Sequence, residues 1–218
     1  MTSPESRKIP SHEATYARVR DMVLHGALEP GAPVTIQGLT ERLGAGMTPV
    51  REAIRRLTAE GALVPLGNRR IAVPRLSAAE LGEIAVARLA LEPELGRRAL
   101  PRLDGAAVER LAAVDAALDR AVAAGDVPAY LRENHRFHFA LYAAAEAPIL
   151  TRLAGMLWLR IGPSLRVVCA GAAGLPDRHR DALAAIAAGD ADRLEAALRE
   201  DIAQGLADVG AAIAEGRV

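Results

Sequence analysis

The sequence is poor in cysteine and in aromatic residues. Its 218 residues include one cysteine, and Phe, Trp and Tyr together make up 3%. A single cysteine excludes an internal disulfide framework and favours a reducing cytoplasm. The N-terminal residues contain no apolar segment of the signal-peptide type, and no apolar run reaches the ~20 residues that a membrane helix needs. We therefore expect a cytoplasmic protein with an aliphatic core and no membrane contact.

Net charge is also absent, because 27 Lys and Arg balance 27 Asp and Glu. The balance conceals an asymmetry: residues 1–75 carry 11 basic against 7 acidic side chains, and the remainder carries 16 against 20. A basic N-terminal third is typical of a nucleic-acid-binding head attached to a separate module. Hydrophobic residues make up 51% and charged residues 25%, which indicates a folded globular chain.

The pattern in residues 13–75 predicts three helices followed by a β-hairpin. Residues 1–12 show no period and are expected to form a flexible arm. A helical apolar repeat ends at Gly26 and predicts the first helix. Thr35 is expected to cap the second helix. Thr48 is expected to cap the third helix, which has proline at its first position. Two short β-like runs joined by a Gly-Asn-Arg-Arg turn then predict the hairpin. This order is that of a winged helix-turn-helix.

The third helix and the hairpin tip are the predicted DNA-contacting surfaces. The first turn of that helix offers Thr48 and Arg51 to base edges, where an arginine pairs bidentately with guanine. The alternative is that the arginines form only a solvated charged face, which the order of elements disfavours. The residues assigned to DNA contact on these grounds are Thr48, Arg51, Arg55, Asn68, Arg69 and Arg70.

The same stretch resembles the GntR family of bacterial regulators. The motifs that carry the resemblance are LEPG at 28–31, LTERLG at 39–44 and TPVREAIRRL at 48–57, at the spacing of that family. The resemblance implies DNA contacts by the residues of the third block and adds Gln37. Where the family usually has Ser-Arg, this chain has Gly46 and Met47, and an arginine at the second position commonly contacts DNA.

Residues 76–218 are predicted to form an effector-binding and dimerisation domain that is wholly helical. Gly and Pro breaks separate six helical segments, which short connections would fold into an antiparallel bundle. The fold class is therefore mainly α, a winged helix-turn-helix plus a six-helix bundle. The predicted helices span 78–100, 105–124, 127–145, 148–171, 176–188 and 190–215.

Four polar residues are placed to converge inside this bundle. Asn134 and His138 share one face of a helix at i, i+4. His179 lies ten residues before the turn at Gly189, and Asp201 lies twelve residues after it. At the rise of an α-helix the two residues would therefore face each other across adjacent antiparallel helices. Two imidazoles, a carboxylate and an amide oxygen suit Zn²⁺, Ni²⁺, Mn²⁺ or Fe²⁺. The alternative is a satisfied core histidine and a surface acid.

The bundle also resembles the all-helical FCD ligand-binding domain of the FadR-type branch of that family, in its six-helix, VanR-like form. The motifs are RLALE at 88–92, FHF at 137–139 and AIAAGD at 185–190. The resemblance implies a divalent metal held by an Asp and three His. His138 and His179 match two of the histidines, whereas Asn134 stands in place of the Asp and Asp201 in place of the last His. His135 is expected to be exposed.

These features predict a transcription regulator that binds a double-stranded DNA operator as a homodimer and a small carboxylate as effector. Arg88 is the predicted clamp for the effector, with a salt bridge to Glu92 as the alternative. Two other functions stay open. A metal-dependent enzyme would need a general base beyond the metal ligands, and none is found. An architectural DNA-binding dimer would need no interior polar cluster.

Overall fold

The computed structural model describes residues 12–67, 70–171 and 179–218. Helices dominate, and a 3₁₀ turn (Leu100–Arg102) follows the fourth of them. The elements are α1 (His12–Leu24), β1 (Pro33–Val34), α2 (Ile36–Leu43), α3 (Met47–Ala59), β2 (Val64–Pro65), β3 (Ile71–Ala72), α4 (Ala78–Ala99), α5 (Gly105–Ala124), α6 (Val127–Ala143), α7 (Pro148–Gly171), α8 (His179–Ala188) and α9 (Ala191–Ala214).

The N-terminal unit is the winged helix-turn-helix that the sequence predicts. Its hairpin strands β2 and β3 pair antiparallel, and β3 also pairs antiparallel with β1, a strand that was not predicted from the sequence. Thr35 caps α2 by accepting a bond from the backbone N–H of Gly38. The predicted cap of α3 is wrong: the helix begins one residue before Thr48, and Gly46 is its N-cap.

The C-terminal unit is the predicted bundle of six helices. Five predicted helices fall within two residues of the observed bounds, and α8 ends where predicted. Four of the six helices have a side-chain cap at their start. Ser77 and Glu80 form a reciprocal capping box at α4, and the carboxylates of Asp104, Asp126 and Asp190 cap α5, α6 and α9.

Helix α7 joins the two units. Trp158 and Leu159 are buried in the apolar cluster of the winged domain rather than in that of the bundle. Gly162 allows this packing, because a side chain there would collide with the carbonyl of Leu24 at the end of α1. Arg160 donates to the Gly61 carbonyl at 3.1 Å, which adds a polar link to the winged domain.

The hydropathy of α7 follows from this central position. Within the described residues it is the one helix long and apolar enough to cross a membrane by those two criteria, with 23 residues at a mean hydropathy of 1.3. Half of that window, 50%, is buried inside the protein. A helix that contributes to two cores needs apolar residues on more than one face.

Candidate nucleic-acid interface and metal centre

The start of α3 is exposed to solvent. Met47, Thr48 and Arg51 are all exposed there. Among the described residues Arg51 has no ion-pair partner, so its guanidinium is available to an incoming ligand. Residues near the N-terminus of a recognition helix are the ones that reach base edges in the major groove.

Other predicted DNA contacts are already engaged or lie elsewhere. Arg55 forms a two-pronged ion pair with Glu52, with Nη2–Oε1 at 2.6 Å and Nε–Oε2 at 3.0 Å. Gln37 donates its side-chain amide to Glu41 at 3.0 Å. Arg70 is exposed beside β3. The wing-tip residues Asn68 and Arg69 lie outside the described residues, so their roles stay predictions.

Arg56 on α3 contacts side chains of α1 and the end of α3. Its guanidinium lies 3.6 Å from the ring centroid of Tyr16 and pairs with Glu13 and Glu60. The Tyr16 hydroxyl donates to Glu60 at 2.8 Å, and burial together with this carboxylate raises the pKa of Tyr16. Arg56 therefore ties α3 to α1, and its charge is used inside the domain.

Three of the four predicted metal ligands converge in the bundle. His138 on α6, His179 on α8 and Asp201 on α9 each offer one ligand atom, and these atoms lie within 4.8 Å of one another. The histidines are 1% and 3% exposed, and the carboxylate is 21% exposed. Asn134 lies one turn before His138 and is half-buried, so it stays a predicted fourth ligand.

The carboxylate of this cluster is held in its charged form. Burial would raise the pKa of Asp201, but its contact with His138 and the positive fields of His179 and Arg88 outweigh that effect, so the pKa is lowered. An ionised carboxylate is the form that binds a cation.

The ring of His179 is oriented by two neighbours. Its Nδ1 lies 3.2 Å from Oδ1 of Asp115 on α5, and its face stacks on Phe137 at a centroid distance of 3.8 Å. A carboxylate behind Nδ1 fixes the proton there and leaves Nε2 as a ligand atom. Sequence reasoning missed Asp115, although an acid beside the buried Leu111 and Leu118 on one helix face was a usable signal.

The tautomer of His138 is fixed by a chain of hydrogen bonds. Tyr142 donates its single hydroxyl proton to Glu92 at 2.8 Å. It must therefore accept from Nδ1 of His138, 3.0 Å away. The other ring nitrogen of His138, Nε2, lies 3.0 Å from Oδ2 of Asp201.

Nε2 of His138 and the carboxylate of Asp201 lie at the centre of the candidate metal site. The ring nitrogen is buried, and it has no hydrogen bond of good geometry among the described residues. Either a proton on Nε2 or a divalent ion bound by both groups satisfies the two atoms. Imidazole and carboxylate donors suit zinc and neighbouring transition metals. The residues present therefore fit a divalent metal.

Glu92 is hydrogen-bonded to several side chains next to the candidate metal ligands. It is fully buried and accepts from Nε of Arg88 at 2.6 Å, from Tyr142, and from the indole N–H of Trp158 at 2.9 Å. The salt bridge that the sequence left as the alternative for Arg88 is therefore present. The charge of Glu92 outweighs burial and raises the pKa of Arg88. An effector-binding role for Arg88 stays a prediction.

The expectation for His135 is wrong. Instead of lying in solvent, it packs between the two domains, stacked on Phe139 at 4.2 Å and edge-on to Trp158 and His25. Burial, aided by the charge of Arg20, lowers its pKa to about 3. This side of α6 meets the end of α1 and helix α7 instead of water.

A winged helix-turn-helix packed on a helical bundle with a buried polar cluster defines a DNA-binding transcription regulator. Residues 11–73 match bacterial regulatory proteins of the gntR family, and residues 83–204 match the FCD domain. The chain belongs to the GntR family and carries an FCD domain. Its relatives are transcription regulators, and it is not an enzyme.

Named relatives agree with this assignment. The chain is 34% identical over 140 residues to the HTH-type transcriptional regulator McbR of Escherichia coli, a match that spans 63% of that protein. It is 31% identical over 200 residues to a probable D-xylose utilization operon transcriptional repressor of Paenarthrobacter nicotinovorans, covering 86% of this chain and 85% of that one.

Solved structures show the same architecture. The structure of E. coli McbR superimposes with a TM-score of 0.82 at 28% identity, covering 92% of this chain and 98% of McbR. A GntR regulator from Rhodococcus sp. RHA1 superimposes with a TM-score of 0.74 at 20% identity, covering 91% and 96%. The second likeness concerns the fold alone.

Proposed function

We propose that this regulator is a sequence-specific repressor whose bundle binds a divalent metal and a small organic acid. Binding of these ligands in the bundle changes the affinity of the protein for DNA. The observation that carries the proposal is the convergence of His138, His179 and Asp201, whose ligand atoms lie within 4.8 Å of one another. The name of the Paenarthrobacter relative supports repression. A cytoplasmic location accords with DNA binding.

The proposed metal ligands are His138, His179 and Asp201, with Asn134 as the fourth. Both imidazoles have a partner on Nδ1, so Nε2 is the ring nitrogen that each offers to a metal. A bound divalent ion supplies a Lewis acid with open positions for an anionic oxygen.

A carboxylate effector suits the charges around the cluster. Arg88 faces Glu92 with Nε and Nη2, and its charge also acts on Asp201. A guanidinium next to a metal position favours a ligand that carries an anionic oxygen pair. Leaving such polar groups buried without a ligand would cost free energy.

Trp158 is the proposed link between the bundle site and the winged domain. Its indole N–H donates to Glu92, and Glu92 is connected to His138 through Tyr142. Its ring lies in the apolar cluster formed with α1 and α3. A shift of His138 on ligand binding is therefore transmitted to a side chain on which the winged domain packs, and the population able to bind DNA changes.

A homodimer is the proposed assembly. Recognition helices of this class read two half-sites one helical turn apart, and one winged domain buries little DNA surface. The bundle offers a matching surface on α7, where Ile149, Leu153 and Met156 are exposed at helical spacing. A second copy packed on this stripe would cover the one face of α7 that neither domain buries. Leu153→Glu should then give monomers in sedimentation at micromolar concentration.

A thermal-shift screen tests the proposed ligands. Metal-free protein is mixed with Zn²⁺ or Mn²⁺, then with small mono- and dicarboxylates, and each stabilising combination is tested for its effect on DNA affinity. We expect stabilisation by metal, further stabilisation by one class of acid, and a change in DNA affinity. An architectural protein with no ligand would show none of these shifts.

Matched variants test whether stabilisation by metal arises at the proposed ligands. Asp201→Asn should abolish the metal shift, whereas Asp208→Asn, on the same helix and bonded to Gln204, should keep it. If Asp201→Asn and the double variant His138→Ala with His179→Ala retain both the shift and the DNA response, the site is elsewhere.

A further inference from the structure

Met47 is an apolar side chain at a position where a soluble helix normally carries a polar one. It is 57% exposed, and among the described residues it is the one large apolar side chain exposed on α3. The core of the winged domain includes the neighbouring Val50 and Ala53 but not Met47. Packing inside the chain therefore does not account for it.

The position of Met47 coincides with the DNA-reading end of α3. It is the first residue of the helix, and its N-cap Gly46 has no side chain that could cover it. Met47 and Arg51 lie at i, i+4, on one face of the helix. Arg55 continues that face but is engaged by Glu52, so Met47 and Arg51 are the side chains free to enter the groove.

Thymine supplies the one apolar group on base edges in the major groove, its C5-methyl. A methionine thioether has no hydrogen to donate to the N7 and O6 acceptors of guanine, and its sulfur is only a weak acceptor for the N4 amino group of cytosine. We infer that Met47 reads a thymine methyl group in each half-site, while Arg51 reads a guanine. Four helical residues span about 6 Å, so the two bases lie close together within one half-site.

The inference rests on sequence-specific binding and is tested by deleting single methyl groups. A binding sequence is first selected from random duplex DNA with the unmodified protein. Each thymine is then replaced by uracil, which lacks only the C5-methyl, and affinity is measured by fluorescence anisotropy. We expect one replacement per half-site to weaken binding about fourfold, the loss of one buried methyl contact.

Variants at position 47 test whether the loss of affinity on replacing thymine by uracil depends on Met47. Met47→Leu should keep the thymine–uracil difference, Met47→Ala should remove it, and Met47→Arg should select guanine there instead. Val86→Ala, an exposed apolar residue on α4, is the control and should behave as the unmodified protein. Because Met47 is exposed, thermal stability should not change.

Two results would overturn the inference, and they are distinguishable. If the protein selects a sequence but all variants show the same uracil profile, Met47 does not read thymine and the regulator function stands. If the unmodified protein selects no sequence, sequence-specific recognition fails together with the inference.

Discussion

The interiors of the two domains differ in their polar content. Among the described residues the winged domain fully buries one polar side chain, Thr15. The bundle buries six, which are Arg88, Glu92, Asp115, His138, Ser164 and His179. Buried ionisable groups cost free energy unless they are paired, so we expect a function for a bundle that keeps them at its centre. The side chains proposed to contact DNA lie instead at the surface of the winged domain.

Helix α4 offers the sharpest test of this difference, because it carries the same ion pair twice. Arg88–Glu92 is buried and Glu94–Arg98 is exposed, and both have i, i+4 spacing. Glu92→Ala leaves Arg88, Tyr142 and Trp158 without their acceptor, so we expect a loss of about 3–5 kcal/mol in the free energy of unfolding. Glu94→Ala should cost about 0–1 kcal/mol. Urea unfolding of both variants measures the contrast, and equal losses would contradict it.

The surface of the winged domain is tested at Arg51. Because Arg51 has no ion pair in the described part of the chain, Arg51→Ala should leave stability unchanged. It should weaken binding to the selected operator by about 1–3 kcal/mol and relax its sequence preference. Arg110→Ala, an exposed arginine on α5, is the control in the same anisotropy titration. A uniform loss across operator and random DNA would show that Arg51 contacts only phosphate.

The partner of His179 tests the orientation of the metal ligands. Asp115→Asn keeps the shape but removes the charge behind Nδ1, and such changes lower metal affinity about 10–100-fold. Asp119→Asn, one turn later on the exposed face of α5, should leave the affinity unchanged. Competition with a chromogenic chelator measures both. Equal affinities would remove Asp115 from the site.

The contact between the domains is tested by pH. The pKa of His135 is lowered to about 3 by burial, and that of His25 is also lowered by burial. The unfolded chain therefore binds more protons below about pH 6.5, so stability falls as the pH falls, and His135 contributes up to about 1.4 kcal/mol per pH unit to this fall. In metal-free protein, His135→Phe should flatten the fall in urea midpoint between pH 7 and pH 5. An unchanged slope would contradict the burial of His135.

The sequence predicted most of the fold because local signals mark each helix end. Gly125 and Gly189 adopt left-handed backbone at the turns, and Asp and Ser side chains cap the starts that follow. The element that the sequence did not predict in the winged domain is a short strand. Strand β1 has two residues and forms through pairing with β3, distant in sequence, so no alternation of its own could reveal it.

The site was less accessible than the fold. Spacing about Gly189 predicted that His179 and Asp201 would meet, because one tight turn sets their register. Asp115 and Tyr142 reach the cluster from helices whose rotation depends on packing, which the sequence alone does not specify. The misplacement of His135 has the same cause, since its burial requires the winged domain to dock on the bundle.

Trp158 makes the central claim directly measurable. It is the chain's one tryptophan and contacts both Glu92 and the core of the winged domain, so its fluorescence can follow metal binding with and without operator DNA. Linkage requires that DNA change the metal affinity by the factor by which metal changes the DNA affinity. We predict that saturating operator shifts the Kd for Zn²⁺ by about fivefold or more. The same Kd in both titrations would contradict the claim that the bundle controls DNA binding.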